Sequence, residues 1–175
     1  MITDKSCLVD YYDDFLKLEK KLFGMDFDYS VESITEWFNS PYSLLCLKNG
    51  DNNPDSILAY GSLIIISRDS YEKIVSGQIT EEELQPIDRP SGSDVAYFAS
   101  IYSRIPHGAS LVVDTAKVQL EQLMSDKNLN IDTIFSIAST SRGRKFIEKQ
   151  GWQQTHLYLD KYPILSYSVS EWLNE

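Results

Sequence analysis

Apolar residues recur at helical spacing twice before the first strand-like run. Tyr11, Phe15, Leu18 and Leu22 share one face of residues 8–23, with Leu8 a turn further back, and this spacing predicts a helix. Asp13 and Asp14 near its start and Lys17, Lys20 and Lys21 near its end suit the helix dipole, and Gly24 supplies a stop. A shorter helix is predicted over 31–39, with Val31, Ile34, Trp37 and Phe38 as its stripe, Ser30 as N-cap and Pro41 as terminator. The period then changes. Ser43–Leu47 and Ile57–Ser67 read as strands joined by the turn-rich Asn49-Gly50-Asp51-Asn52-Asn53-Pro54, which predicts an antiparallel hairpin with a bulge near Gly61.

Residues 68–93 break the pattern. They are polar, hold Gly77, Pro86, Pro90 and Gly92, and carry a capping-box-like Thr80-Glu81-Glu82-Glu83. The stretch reads as a partly helical insertion over the sheet, and a connection of that length is either functional or tolerated. Beyond it the periods are regular. Asp94–Ser103 is a strand, 110–127 a helix with Val113, Ala116, Leu120, Leu123 and Met124 on its apolar face, and Ile131–Ala138 another strand. Arg142–Gln150 is a short helix closed by Gly151, with strands following over 152–159 and 163–169. Strand, helix and strand in succession make a right-handed crossover, which sets 94–103 and 131–138 parallel.

Length and charge narrow the functions open to such a fold. At 175 residues the chain is one domain, 1–175, with its insertion at 68–93. It holds 16 Lys and Arg against 26 Asp and Glu, a formal charge of −10 and a pI near 4.6. A field of that sign repels polyphosphates and anionic bilayers, so neither nucleic acid nor a membrane is an expected partner. Met1–Ser6 has no basic region followed by an apolar run, and apolar runs such as Leu63-Ile64-Ile65-Ile66 fall far short of a membrane span of roughly 20 residues. Cys7 and Cys46 make no disulfide framework, and a reducing cytoplasm is the expected location. His107 and His156 stand far apart with no paired cysteines, so no zinc site is expected. Neither a Gly-x-Ser-x-Gly elbow nor a phosphate-loop Lys-Ser/Thr signature occurs. The oligomeric state is left open, a homodimer included.

The informative chemistry lies in Arg104-Ile105-Pro106-His107-Gly108-Ala109-Ser110, between a strand and a helix. A glycine-bearing turn there aims backbone N–H groups and the helix dipole at one point, which suits a phosphate or pyrophosphate. A second helix start follows the parallel partner strand. Ser139, Thr140 and Ser141 offer N-caps and hydroxyl donors, and Arg142, Arg144, Lys145 and Lys149 gather cations in an otherwise acidic chain. Two helix starts beside neighbouring strand ends predict a ligand cleft.

The order of helix, helix, hairpin, long strand, glycine turn, helix, strand, short helix, Gly-aromatic and strand resembles that of the GCN5-related N-acetyltransferases. The resemblance covers most of the chain. Its most specific part is the segment 141–152, with Lys149-Gln150-Gly151-Trp152 similar to the family's late helix ending in Lys-x-Gly-Phe. The family's glycine turn reads Gln/Arg-x-x-Gly-x-Gly/Ala. Ile105, Gly108 and Ser110 occupy those positions here; the central glycine is kept, the first polar residue is replaced, and Pro106 removes one N–H.

What the resemblance implies is an α/β fold with a mixed, mostly antiparallel sheet flanked by helices and a splayed parallel strand pair. It implies acetyl-CoA as cosubstrate and a primary amine as acceptor. The pantetheine arm would lie along the backbone around Ile101 and Ser103, and the diphosphate at the amides of His107, Gly108, Ala109 and Ser110 beside Ile105. Thr140 and the cations Arg104, Arg142 or Arg144 would serve the phosphates. Many members carry a late-helix tyrosine that protonates the departing thiolate, and Ile147 holds that position here. Ser139, Thr140, Ser141, Tyr158 or a water are the replacements on offer. A base is expected among Glu81, Glu82, Glu83, Asp94 and the phenol of Tyr97. The rival reading is a domain that keeps the fold without the chemistry, as a coenzyme A sensor or a protein-interaction module. Transfer to an amine is preferred, because positioning supplies most of the catalysis in this family.

Overall fold

The computed structural model describes Leu18, Lys21, residues 31–49 and residues 57–174. The expected helix over 8–23 lies outside the described residues except for Leu18 and Lys21, which are helical; Ser30 and residues 50–54 also lie outside them. In chain order the elements are α1 (Val31–Asn39), β1 (Ser43–Asn49), β2 (Ile57–Ile66), α2 (Arg68–Val75) and a 3₁₀ turn (Glu81–Glu83). There follow β3 (Asp94–Ser103), α3 (Gly108–Lys127), β4 (Ile131–Ile137), α4 (Ser141–Lys149), β5 (Gln153–Tyr158), β6 (Tyr162–Ser168) and α5 (Val169–Asn174). One sheet runs β1-β2-β3-β4-β6-β5, antiparallel throughout except for the β3–β4 pair.

Both faces of this sheet are covered, which is why β2 reads as a near-continuous apolar run rather than an alternation. On one face α3 lays Val112, Val113, Ala116, Leu120 and Leu123 against Leu63, Ile65, Ala96 and Phe98. On the other, Ile34, Trp37 and Phe38 of α1, Ile74 of α2 and Leu84 pack on Tyr60, Ile64, Tyr97 and Phe135. Cys46 lies in the first core, where its thiol donates to Gln119 Oε1 at 3.1 Å. Burial pushes that thiol from its ordinary 9.0 to about 12. Its contribution to stability is therefore complete below the ordinary value and lost as pH climbs toward about 12. A thiol reagent at mildly alkaline pH should leave the Cys46 peptide unmodified by mass spectrometry until the protein is unfolded; labelling at the rate of a free cysteine would contradict this.

Three features depart from the sequence expectation. The β1–β2 register passes regularly through Cys46↔Gly61; the hairpin's own shift falls between Lys48 and Asn49, and the β2–β3 pair shifts between Ser62 and Leu63, where Ala99 of β3 is the extra residue. That bulge reverses the alternation of β3, so that Ala99 and Tyr102 both turn to the Tyr97 face while Ile101 turns to the α3 face. Helix α3 starts at Gly108 rather than 110. The short α5 was not expected, since six residues show no period; Trp172 anchors it, buried edge-on against Phe98 and Trp152 at 6.2 and 6.1 Å.

The insertion is fastened at several points. Ser67 caps α2 by accepting from Ser70 N–H at 3.0 Å, and Arg68 of that helix bonds the Asp132 carboxylate at the start of β4. The Thr133 hydroxyl and the Arg68 guanidinium hold Asp132 below the usual carboxylate range. The capping box forms, with Thr80 N–H and hydroxyl both donating to Glu83, at 2.7 and 2.9 Å. Trp37 Nε1 donates to Leu84 O at 2.7 Å, and Glu81 N–H donates to the Tyr158 hydroxyl at 3.0 Å. The insertion thereby seals the Tyr97 face of the sheet.

Candidate active site

The parallel pair has four rungs: Asp94↔Ile131, Val95↔Thr133, Ala96↔Ile134 and Tyr97↔Phe135. Beyond them β3 stays with β2 as far as Ser103, while β4 stays with β6 as far as Ile137. Each strand is held by its outer neighbour, so the inner edges part. A cleft of about 750 Å³ occupies the gap. It reaches both faces of the sheet: Ile101, Ala138, Phe146 and Ile147 line it from the α3 side, Ala99, Tyr102 and Ile137 from the other.

The glycine turn closes one end. Ser103 Oγ donates to Ile105 O at 2.9 Å and accepts from Ile105 N–H at 3.2 Å, and Gly108 N–H closes the turn on Ile105 O at 3.2 Å. A Cβ on Gly108 would overlap Ser103 Oγ and come within 2.8 Å of Ile105 Cγ1, so the close approach requires glycine. His107 takes a left-handed conformation with φ 58°, unusual for a residue bearing a Cβ, and turns the chain sharply into α3. The amides of Ala109 and Ser110 have no acceptor among the described residues, as the first turn of a helix requires. They open on the cleft.

Helix α4 begins at the same edge. Thr140 caps it, accepting from Gly143 N–H at 3.0 Å, and leaves the Ser141 and Arg142 amides without acceptors among the described residues. Arg142 is exposed on the cleft and in no ion pair among the described residues. Arg144 turns away to Glu148 at 2.7 Å and does not line the cleft.

Of the residues expected at the cofactor, Ile101, Ser103, Arg104, Ile105, His107, Gly108, Ala109, Ser110, Thr140 and Arg142 all line the cleft. The three expected catalytic residues do not. Tyr97 is fully buried, its hydroxyl on Glu81 and its ring stacked on Phe135 at 4.6 Å; Tyr158 is buried against the same glutamate; Ser141 is exposed to solvent beside the opening. Among the expected bases, Asp94 accepts from Ser91 N–H and hydroxyl at 3.0 and 2.6 Å, and Glu83 from Thr80. Sequence reasoning missed Ala99, Tyr102, Ser136 and Gly143, which also line the cleft. Ser136 left a trace, as the lone polar residue in Ile134-Phe135-Ser136-Ile137. Among the described residues no group of His, Cys, Asp and Glu could hold a metal ion, and no helix is long and apolar enough to cross a membrane.

No family profile matches the chain, and no curated protein matches it in sequence. Solved structures match it in shape. Arabidopsis thaliana NAA60 in complex with acetyl-CoA superposes with a TM-score of 0.61 at 8% identity, over 92% of this chain and 94% of that one. Aminoglycoside 6′-acetyltransferase type Ii gives 0.57 at 12% identity, over 97% of both chains. A GNAT-family acetyltransferase from Staphylococcus aureus Mu50 gives 0.55 at 13% identity, over 96% and 97%. The chain has the fold of the GCN5-related N-acetyltransferases.

Proposed function

We propose that this protein transfers an acetyl group from acetyl-CoA to a primary amine. The observation that carries the reading is the parting of β3 and β4 beside two helix starts, with the amides of Ala109 and Ser110 opening on the gap. Those residues fit the cosubstrate. Ala109 and Ser110 would hold the diphosphate, Arg142 an outer phosphate, and the inner edge of β3 around Ile101 and Ser103 the pantetheine arm. When bound, acetyl-CoA supplies an activated acyl group, and the walls of the cleft align it with an amine entering from the Tyr102 side. Tyr97, Tyr158 and Glu81 serve to fix the insertion that walls this side, and the acceptor's proton leaves through water in the cleft. The acidic surface favours a cationic acceptor. An acyl-CoA substrate fits a cytoplasmic protein.

A thermal-shift titration tests the reading. Saturation with acetyl-CoA at about 100 times its Kd should stabilise the protein by about 2.7 kcal/mol, a rise of roughly 5–10 °C in Tm, and an amine panel should release thiol. No shift with any acyl-CoA would remove the reading. A second reading, a coenzyme A sensor, is favoured by one feature: Ile147 lines the cleft where the resemblance puts a proton donor. Stabilisation without thiol release across the panel would select it. In either case Arg142→Glu should weaken acetyl-CoA binding about tenfold at low salt, with the difference shrinking as salt rises. Equal affinities in the two proteins at low salt would place the outer phosphates elsewhere.

A further inference from the structure

We propose that Ser136 is the hydroxyl that donates a hydrogen bond to the sulfur of the acyl thioester, in a cleft where Ile147 offers no donor; the inference rests on the acyl-transfer reading above. Ser136 is the first residue of β4 past the last parallel rung, Tyr97↔Phe135, and lines the cleft. Alternation along β4 sets it on the face of Ile134 and Ala138, the face that also carries Ile147. It is 4% exposed, yet its hydroxyl has no hydrogen-bond partner among the described residues. Its oxygen is not among the fully enclosed polar atoms that lack a partner among the described residues, so it keeps an open direction and carries no burial penalty of its own. That direction is the cleft that Ser136 lines, where its hydroxyl is available to a bound substrate.

The position along the cleft agrees. Six residues of β3 separate Ser103, beside the amide cradle, from Tyr97 at the rung, about 20 Å of extended strand. An extended pantetheine arm anchored at the cradle spans most of that length, which brings its sulfur toward Ser136. As the C–N bond forms and the C–S bond breaks, the electron pair stays on sulfur and negative charge grows there. Ser136 Oγ–H donates a hydrogen bond to that charge and stays protonated. The proton lost by the amine goes to water, and the thiolate takes its proton from water. A fixed donor aimed at developing charge in a site of low polarity is an effective form of stabilisation.

The test compares wild type with Ser136→Ala and Ser136→Thr, with Ser136→Ala/Ile147→Tyr as a rescue. Its primary readout needs no turnover. The thiol of bound coenzyme A is titrated by the ultraviolet absorbance of its thiolate, and binding is followed in parallel by thermal shift. Ser136→Ala should bind coenzyme A within about twofold of wild type, while the bound thiol titrates about one pH unit higher; this corresponds to a tenfold change in the thiolate equilibrium. Ser136→Thr should titrate like wild type, and the tyrosine should recover part of the shift. Where an acceptor is found, Ser136→Ala should lower kcat roughly 10- to 100-fold with KM for acetyl-CoA unchanged. Identical thiol titrations in wild type and Ser136→Ala, both binding coenzyme A, would overturn the role of Ser136 alone. Absence of coenzyme A binding by wild type would instead bring down the acyl-transfer reading and this inference with it.

Discussion

Replacing Gly108 with valine is expected to cut the stabilisation by acetyl-CoA from about 2.7 kcal/mol to between about 0.4 and 1.4 kcal/mol at the same ligand concentration, while the rest of the sheet stays folded. The first atom added at this position already overlaps Ser103 Oγ and lies 3.0 Å from Ser103 Cβ, so the branched side chain has nowhere to go. Ser103 cannot yield freely, because its hydroxyl ties both the amide and the carbonyl of Ile105. The strain is relieved by pushing the start of α3 away from the end of β3. That displaces the Ala109 and Ser110 amides, which rest on Gly108. Overpacking of this kind costs about 1–3 kcal/mol. Charged to the cradle, it weakens binding roughly 10- to 100-fold. Alanine should give the same effect in smaller measure. Unchanged thermal shifts for Gly108→Val would mean that the diphosphate does not use this helix start.

A second substitution should have the largest effect on the fold. Phe135→Ala is expected to destabilise the protein by about 3–5 kcal/mol, lowering Tm by roughly 6–20 °C. Phe135 is fully buried, stacks on Tyr97 at 4.6 Å and leans on Tyr71 of α2 at 4.9 Å. It occupies the last rung before the strands part, so it holds three things together: the end of the parallel ladder, the β3 phenol bonded to Glu81, and the helix that opens the insertion. The cavity would lie where the backbone has lost its pairing on one side and has least to collapse onto. Phe135→Leu, which keeps most of the volume, should lose less than half as much. Urea denaturation would decide it; a loss under about 1 kcal/mol for the alanine variant would show that the cleft floor is held by the outer strand pairs instead.

How much of this was legible in the chain varies from element to element, for physical reasons. The glycine turn was legible because Gly108 stands between a β-branched and aromatic strand and a helix stripe, and few residues fit such a junction. The parallel pair was legible because strand, helix and strand leave one handedness open. The residues expected to be catalytic do not line the cleft. Tyr97 and Tyr158 are polar-tipped aromatics close in sequence to the expected chemistry, but a phenol satisfied inside the core looks the same in sequence as one facing a substrate. Their hydrogen bonds to Glu81, 16 residues before Tyr97 and 77 before Tyr158, assign them to the insertion. Tyr102 reaches the Tyr97 side of the cleft only because of the bulge at Ala99, and one extra residue in a strand leaves no mark on composition or period.

The sequence by itself determined most of the described elements, their order, the handed crossover and the amides that open on the cleft, because hydrophobic period, turn chemistry and chain connectivity are local properties. Only the tertiary structure brought Ser136 to the gap. Whether β3 and β4 separate after four rungs depends on how firmly β2 and β6 hold them from outside, and whether Ser136 meets a partner depends on what lies across the space so made. Those are balances between segments far apart in the chain, and no single stretch of residues carries them.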